Sequence, residues 1–153
     1  MSDVTPGTST TAPPTVADFE RVLALADTDL PQARVEIARL CLLHLRQPAL
    51  ENLHGVILSR IGAYEEAIGS FRRALEIEER FADARNNLAA TLSKINRDEE
   101  AAECYEQLLS VNQKDPEIFY NYGNSLVKLG RSVDAIGAYT HAMRLSPRFA
   151  AAC

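Results

Sequence analysis

A chain of 153 residues, 46% hydrophobic and 24% charged, can bury the core of one domain and has an ordinary water-soluble composition. Its net charge of −5 argues against a nucleic-acid partner, because phosphate binding relies on clustered Lys and Arg. No stretch approaches the roughly 18 apolar residues of a membrane span and no secretory signal opens the chain, so no membrane partner is expected.

Residues 1–15, "MSDVTPGTSTTAPPT", are dominated by Ser, Thr, Pro and Gly and have little to bury. Such a segment cannot offset its own ordering entropy, so it reads as a disordered tail. Next, "VADFERVLALAD" reads as one helix and "PQARVEIARLCLLHL" as a second, with Pro31 in its first turn. Residues 16–47 are therefore expected to form an N-terminal helix pair.

From Pro48 onward the chain repeats itself. Blocks starting at Pro48, Ala82 and Pro116 give a 34-residue period without insertion, with units 48–81, 82–115 and 116–149. Small residues stack as Gly55, Ala89 and Gly123, and as Ala67, Ala101 and Ala135. Leu58, Leu92 and Leu126 form one apolar column. Phe71, Tyr105 and Tyr139 form an aromatic column, expected to fill the space between neighbouring pairs. Gly62, Asn96 and Gly130 each end a first helix, because these residues tolerate the left-handed conformation. In the first unit, Leu50, Leu53, Ile57, Leu58 and Ile61 recur at helical spacing. Tyr64, Ala67, Ile68, Phe71, Ala74 and Leu75 then make the stripe of a second helix. Phe149 and Ala150 repeat Phe81 and Ala82, so residues 150–153 read as the start of an incomplete further helix.

"GAYEEAIGSFRRALEI" (62–77) and "GRSVDAIGAYTHAMRLSP" (130–147) resemble the second-helix signature of the tetratricopeptide repeat family. The resemblance covers residues 48–147 as three repeats and implies an all-α, right-handed α-solenoid. Two departures stand out. The family's closing proline occurs only at Pro147, with Glu79 and Gln113 in its place earlier, and His54 stands where Leu88 and Tyr122 occupy the other units. Residues 16–47 fit less well, although Ala33, Ile37 and Leu40 fall in register with Ala67, Phe71 and Ala74. That divergent pair is expected to cap the stack.

No nucleotide loop, zinc-protease helix or nucleophile elbow is present, so no enzyme and no cofactor are expected. His44, His54 and His141 share no repeat column, and Cys41, Cys104 and Cys153 stand at no metal-ligand spacing. The cysteines read as small apolar fillers in a reduced, cytoplasmic setting, and no metal site is expected. Arg60, Lys94 and Lys128 recur near the ends of first helices, and Glu66, Glu100 and Asp134 at the starts of second helices. The basic row is either a stripe for an acidic ligand or, with the acidic row, a complement to the helix macrodipoles.

In this family the first helices line the concave surface. The resemblance therefore implies a peptide groove bearing Asn52, Asn86, Asn87, Tyr120, Asn121 and Asn124, with Lys94 and Lys128 at the helix ends. Amides offer both a donor and an acceptor, so a ladder of Asn87, Asn121 and Asn124 can hold an extended peptide backbone. The same residues can instead tie neighbouring helices together. The chaperone-adaptor members clamp a terminal carboxylate with lysines, but here the inward positions hold Asn52 with Val56 and Asn86 with Ala90. Capture of chaperone tails is therefore not expected. "ERFADARNNLAATL" and "SPRFAAAC" are similar to repeats of O-linked N-acetylglucosamine transferase and SPINDLY proteins.

The resulting expectation is a non-catalytic scaffold or adaptor that binds a peptide or partner protein in its groove. One alternative is the substrate-selecting region of a larger glycosyltransferase-like enzyme. Another is a self-assembling module, because the helix near 132–145 is expected to leave an apolar strip uncovered.

Overall fold

The computed structural model describes residues 12–146, and these form eight helices with no strand among them. The first pair is α1 (Val16–Thr28) and α2 (Leu30–Leu43), followed by α3 (Pro48–Arg60) and α4 (Tyr64–Ile77). Then come α5 (Ala82–Lys94) and α6 (Asp98–Val111), and finally α7 (Pro116–Lys128) and α8 (Ser132–Leu145). Residues 1–11 of the expected tail, and the expected further helix at 150–153 with Pro147 and Cys153, lie outside the described residues.

Local chemistry explains most of the helix boundaries. Thr15, which composition places in the tail, is the N-cap of α1. Its side chain accepts from the Asp18 amide while the Asp18 carboxylate accepts from the Thr15 amide, a capping box. Asp29 closes α1 and caps α2 by accepting from the Gln32 amide, so one residue joins this pair. Asp115 caps α7 by accepting from the Glu117 amide, with Pro116 next.

The stop column works as its residue types require. Gly62, Asn96 and Gly130 have φ of 82°, 60° and 72°. After each, a following amide reaches back to the helix: Ala63 to Leu58, Arg97 to Leu92 and Arg131 to Leu126. This is the Schellman closure. Arg46, in the turn between α2 and α3, also has a positive φ, 63°, which its residue type does not announce.

Each helix packs on its chain neighbours, and two interlocked cores carry most of the buried side chains. Val22, Ala33, Ile37, Leu40, Leu50 and Ile57 make the core of α1–α3. Leu58, Phe71, Leu88, Leu92, Tyr105 and Phe119 anchor a second core running from α3 to α8. Ala33, Ile37 and Leu40 are fully buried, as are Ala67, Phe71 and Ala74 in the same register one repeat later.

The aromatic column does not act only between pairs, as its spacing led us to expect. A Cβ on Gly55 would stand 2.5 Å from the Phe71 ring, and one on Gly123 would stand 2.6 Å from the Tyr139 ring. Phe71 and Tyr139 therefore close on the glycine of their own pair. Tyr105 also makes a ring contact with the next pair, its centroid lying 6.5 Å from that of Tyr122. Among the described residues, no helix is long and apolar enough to cross a membrane.

Candidate functional site

The odd-numbered helices touch one another, α3 with α5 and α5 with α7, whereas the even-numbered helices of successive pairs make no comparable contact. A stack built this way curves toward its odd side. Asn52, Asn86, Asn87, Tyr120, Asn121 and Asn124, carried by α3, α5 and α7, are all half-buried.

Their partners divide the expected ladder. Asn87 Nδ2 donates to Asn52 Oδ1 at 3.0 Å, tying α5 to α3. This pair is 35 residues apart, so it crosses the 34-residue columns instead of following them. Thr91 sits at the same joint, donating to the Asn87 carbonyl at 2.8 Å within α5, with Ser59 Oγ of α3 at 3.4 Å, where the serine hydroxyl can donate to it. Asn124 Oδ1 accepts from the Tyr139 hydroxyl at 2.8 Å, and the Tyr120 ring packs 5.7 Å from that of Tyr139. Asn87 and Asn124 are thus engaged internally, the helix-tying role the sequence left open. Asn86 Oδ1 is buried with no hydrogen-bond partner among the described residues. Asn121, one repeat after Asn87, is half-buried on α7.

The basic row behaves as a set of joints between pairs. Arg60 reaches Asp27 of α1 at 3.3 Å, and the Lys94 ammonium lies 5.8 Å from the centre of the Tyr64 ring of α4. Lys128 donates to the Ser93 carbonyl at 2.7 Å and to Ser93 Oγ at 3.1 Å, and pairs with the buried Asp98 at 3.2 Å. Each cation therefore contacts the preceding pair. The acidic row is paired as well: Glu66 with Arg34, Glu100 with Arg72 and Arg97, and Asp134 with Arg131. The hydrogen bond from Arg97 is the main reason the Glu100 carboxyl sits below its ordinary range.

Two features escaped sequence reasoning. A cleft of about 660 Å³ opens along the loop edge of α4–α7, lined by Leu75, Leu88, Leu108, Val111 and Ile118, with Arg85 beside them. Arg85 is held by Gln107 and the Glu79 carbonyl. Secondly, Cys41 of α2 meets Glu51 and His54 of α3, and no sequence spacing links the cysteine to that pair. Only the packing of α2 on α3 brings them together. Burial is the main cause that lowers the His54 imidazole, and burial pushes the Cys41 thiol up to about 12.

Tetratricopeptide repeat family models match residues 62–120 and 104–137. No curated protein matches the chain. Among solved structures, MamA from Desulfovibrio magneticus RS-1 (residues 41 to the end) aligns with a TM-score of 0.80 at 18% identity, covering 86% of this chain and 75% of that one. A further MamA structure aligns at 0.79 and 19% identity, covering 87% and 78%. YrrB, described as a TPR protein with an unusual peptide-binding site, aligns at 0.75 and 18% identity, covering 88% and 70%. At these identities the likeness establishes the fold. The period, the Schellman closures and the family models together show tetratricopeptide repeats over residues 62–137, within an all-α, right-handed solenoid.

Proposed function

We propose that this protein is a non-catalytic interaction module that holds an extended peptide segment of a partner protein against the face formed by α3, α5 and α7. The observation that carries this reading is Asn86 of α5, whose carbonyl oxygen is buried without a partner among the described residues. A buried unpaired acceptor costs about 1–3 kcal/mol, and because the Asn86 side chain is only half-buried, its rotation toward a peptide amide removes that penalty. The internal ties of Asn52, Asn87 and Asn124 hold the face rigid, so the receptor loses little ordering entropy on binding. YrrB, which shares the fold, is described as having a peptide-binding site, consistent with this use of the architecture.

The test is to pan a random-peptide display library against the immobilised full chain and to measure the selected peptides by calorimetry. Asn86→Ala with Asn121→Ala is expected to weaken them by about 1–3 kcal/mol with helical circular dichroism intact. Unchanged affinity in that double variant would remove the reading. So would loss of binding confined to Val111→Arg, which obstructs the loop-edge cleft from an exposed position.

Self-association is a second reading, favoured by one observation. Ile136 is 66% exposed on α8, whereas its counterparts Ile68 and Ala102 are 2% and 3% exposed beneath the next pair. Light scattering over a range of concentrations tests it, and a strictly monomeric chain would count against it. The glycosyltransferase-associated alternative rests on the likeness of 79–92 and 146–153 to those repeats, and a catalytic domain encoded after Cys153 would decide for it.

A further inference from the structure

Glu51 and His54 are three residues apart, so they share one face of α3. Helix bundles use this Glu-x-x-His spacing to present a carboxylate and an imidazole to one metal ion. Cys41 on α2 completes the set. One ligand atom from each residue lies within 4.8 Å of the others, and all three side chains are half-buried.

We propose that Cys41, Glu51 and His54 bind a divalent transition-metal ion of the zinc class, fastening the N-terminal helix pair to the first repeat. The donor set selects the ion. A thiolate sulfur, an imidazole nitrogen and a carboxylate oxygen suit zinc, whereas magnesium and calcium favour shells of oxygen. Three protein ligands leave a fourth tetrahedral position for water. Two anionic ligands balance the charge of the dication.

A rival use of the same atoms is a reactive cysteine activated by His54. Reactivity requires a thiol pKa lowered into or below the neutral range, and here burial together with Glu51 raises it. A metal ion reverses that logic, because a coordinating thiol is deprotonated outright and its proton is released on binding. The surroundings fit ligation. Ser70 Oγ lies 3.5 Å from His54 Nδ1, where it can fix the ring and leave Nε2 to ligate. Arg73 donates to Glu51 Oε2 at 3.0 Å and to Ser70 Oγ at 2.9 Å, which leaves Glu51 Oε1 available.

The test is a cobalt titration of the full chain under reducing conditions. The wild type is expected to develop a thiolate-to-cobalt charge-transfer band with tetrahedral d–d bands, saturating at one equivalent and displaced by zinc. A Cys104→Ser, Cys153→Ser chain is expected to keep this spectrum, and Cys41→Ser to lose the charge-transfer band. His54→Gln is expected to weaken cobalt binding at least about tenfold. Zinc is expected to raise the melting temperature of the wild type and not of Cys41→Ser. The proposal is overturned by absence of the band at one equivalent, by its survival in Cys41→Ser, or by its loss in the double serine chain. If Cys41→Ser loses its helical circular dichroism, His54→Gln carries the test, and unchanged cobalt affinity there overturns the proposal.

Discussion

At Gly55 a Cβ would press on the Phe71 ring, while at Gly137 an added Cβ would meet nothing within 4 Å. The two glycines should therefore respond to alanine in opposite directions. Gly55→Ala overpacks the α3–α4 joint and is expected to cost about 1–3 kcal/mol. Gly137→Ala, inside α8, removes the flexibility of a helical glycine and is expected to add about 0.5–1 kcal/mol. Urea denaturation of the two variants checks both signs. At the same scale, the hydrogen-bond partners of Asn87 and Asn124 were not legible in the sequence. The Asn87–Asn52 bond crosses the repeat columns, and which amide pairs depends on how far α5 slides along α3.

At the scale of the helices, the stops were legible by residue type and the joints between pairs were not. Gly62 has φ of 82° with open space around it, so Gly62→Ala tests conformation alone. It is expected to lower stability by about 1–2 kcal/mol, read as a fall in melting temperature. Arg46 adopts a similar conformation, with φ of 63°, and its residue type gives no such signal. Ion pairs cross several joints, and Glu100 accepts from both Arg72 and Arg97. Its folded pKa is depressed, so its contribution is present above the ordinary glutamate range near pH 4.3 and is lost as pH falls through the folded value. Thermal melts of Glu100→Gln should therefore approach those of the wild type below about pH 4 and fall short of them near neutrality. Equal deficits at both pH values would assign the loss to packing instead.

In the whole molecule, each pair rests on its neighbours, so the two ends are the places where stability and association meet. Val133 and Ile136 are exposed on α8, on an element whose counterparts α4 and α6 are each covered by a following pair. Ile136→Glu is expected to leave the fold intact and to shift any concentration-dependent association toward monomer. Analytical ultracentrifugation of wild type and variant reads the outcome, and an unchanged association curve would clear this face of the role. The same nearest-neighbour architecture explains why a metal joint at α2–α3 would fasten the least regular pair to the repeats.

The sequence by itself determined the fold class, because its signals are local. The 34-residue period, the apolar stripes at helical spacing and the stop residues Gly62, Asn96 and Gly130 each act within a turn or two of chain. Tertiary structure decided that Asn87 bonds to Asn52, where Phe71 and Tyr139 rest, and that Arg60, Lys94 and Lys128 reach back to the preceding pair. It alone brought Cys41 to Glu51 and His54. Those outcomes depend on the offset and rotation of one helix against another. That offset is set by the summed packing of many side chains, such as Ile37, Leu50 and Ile57 in the core of α1–α3, and no single column records it.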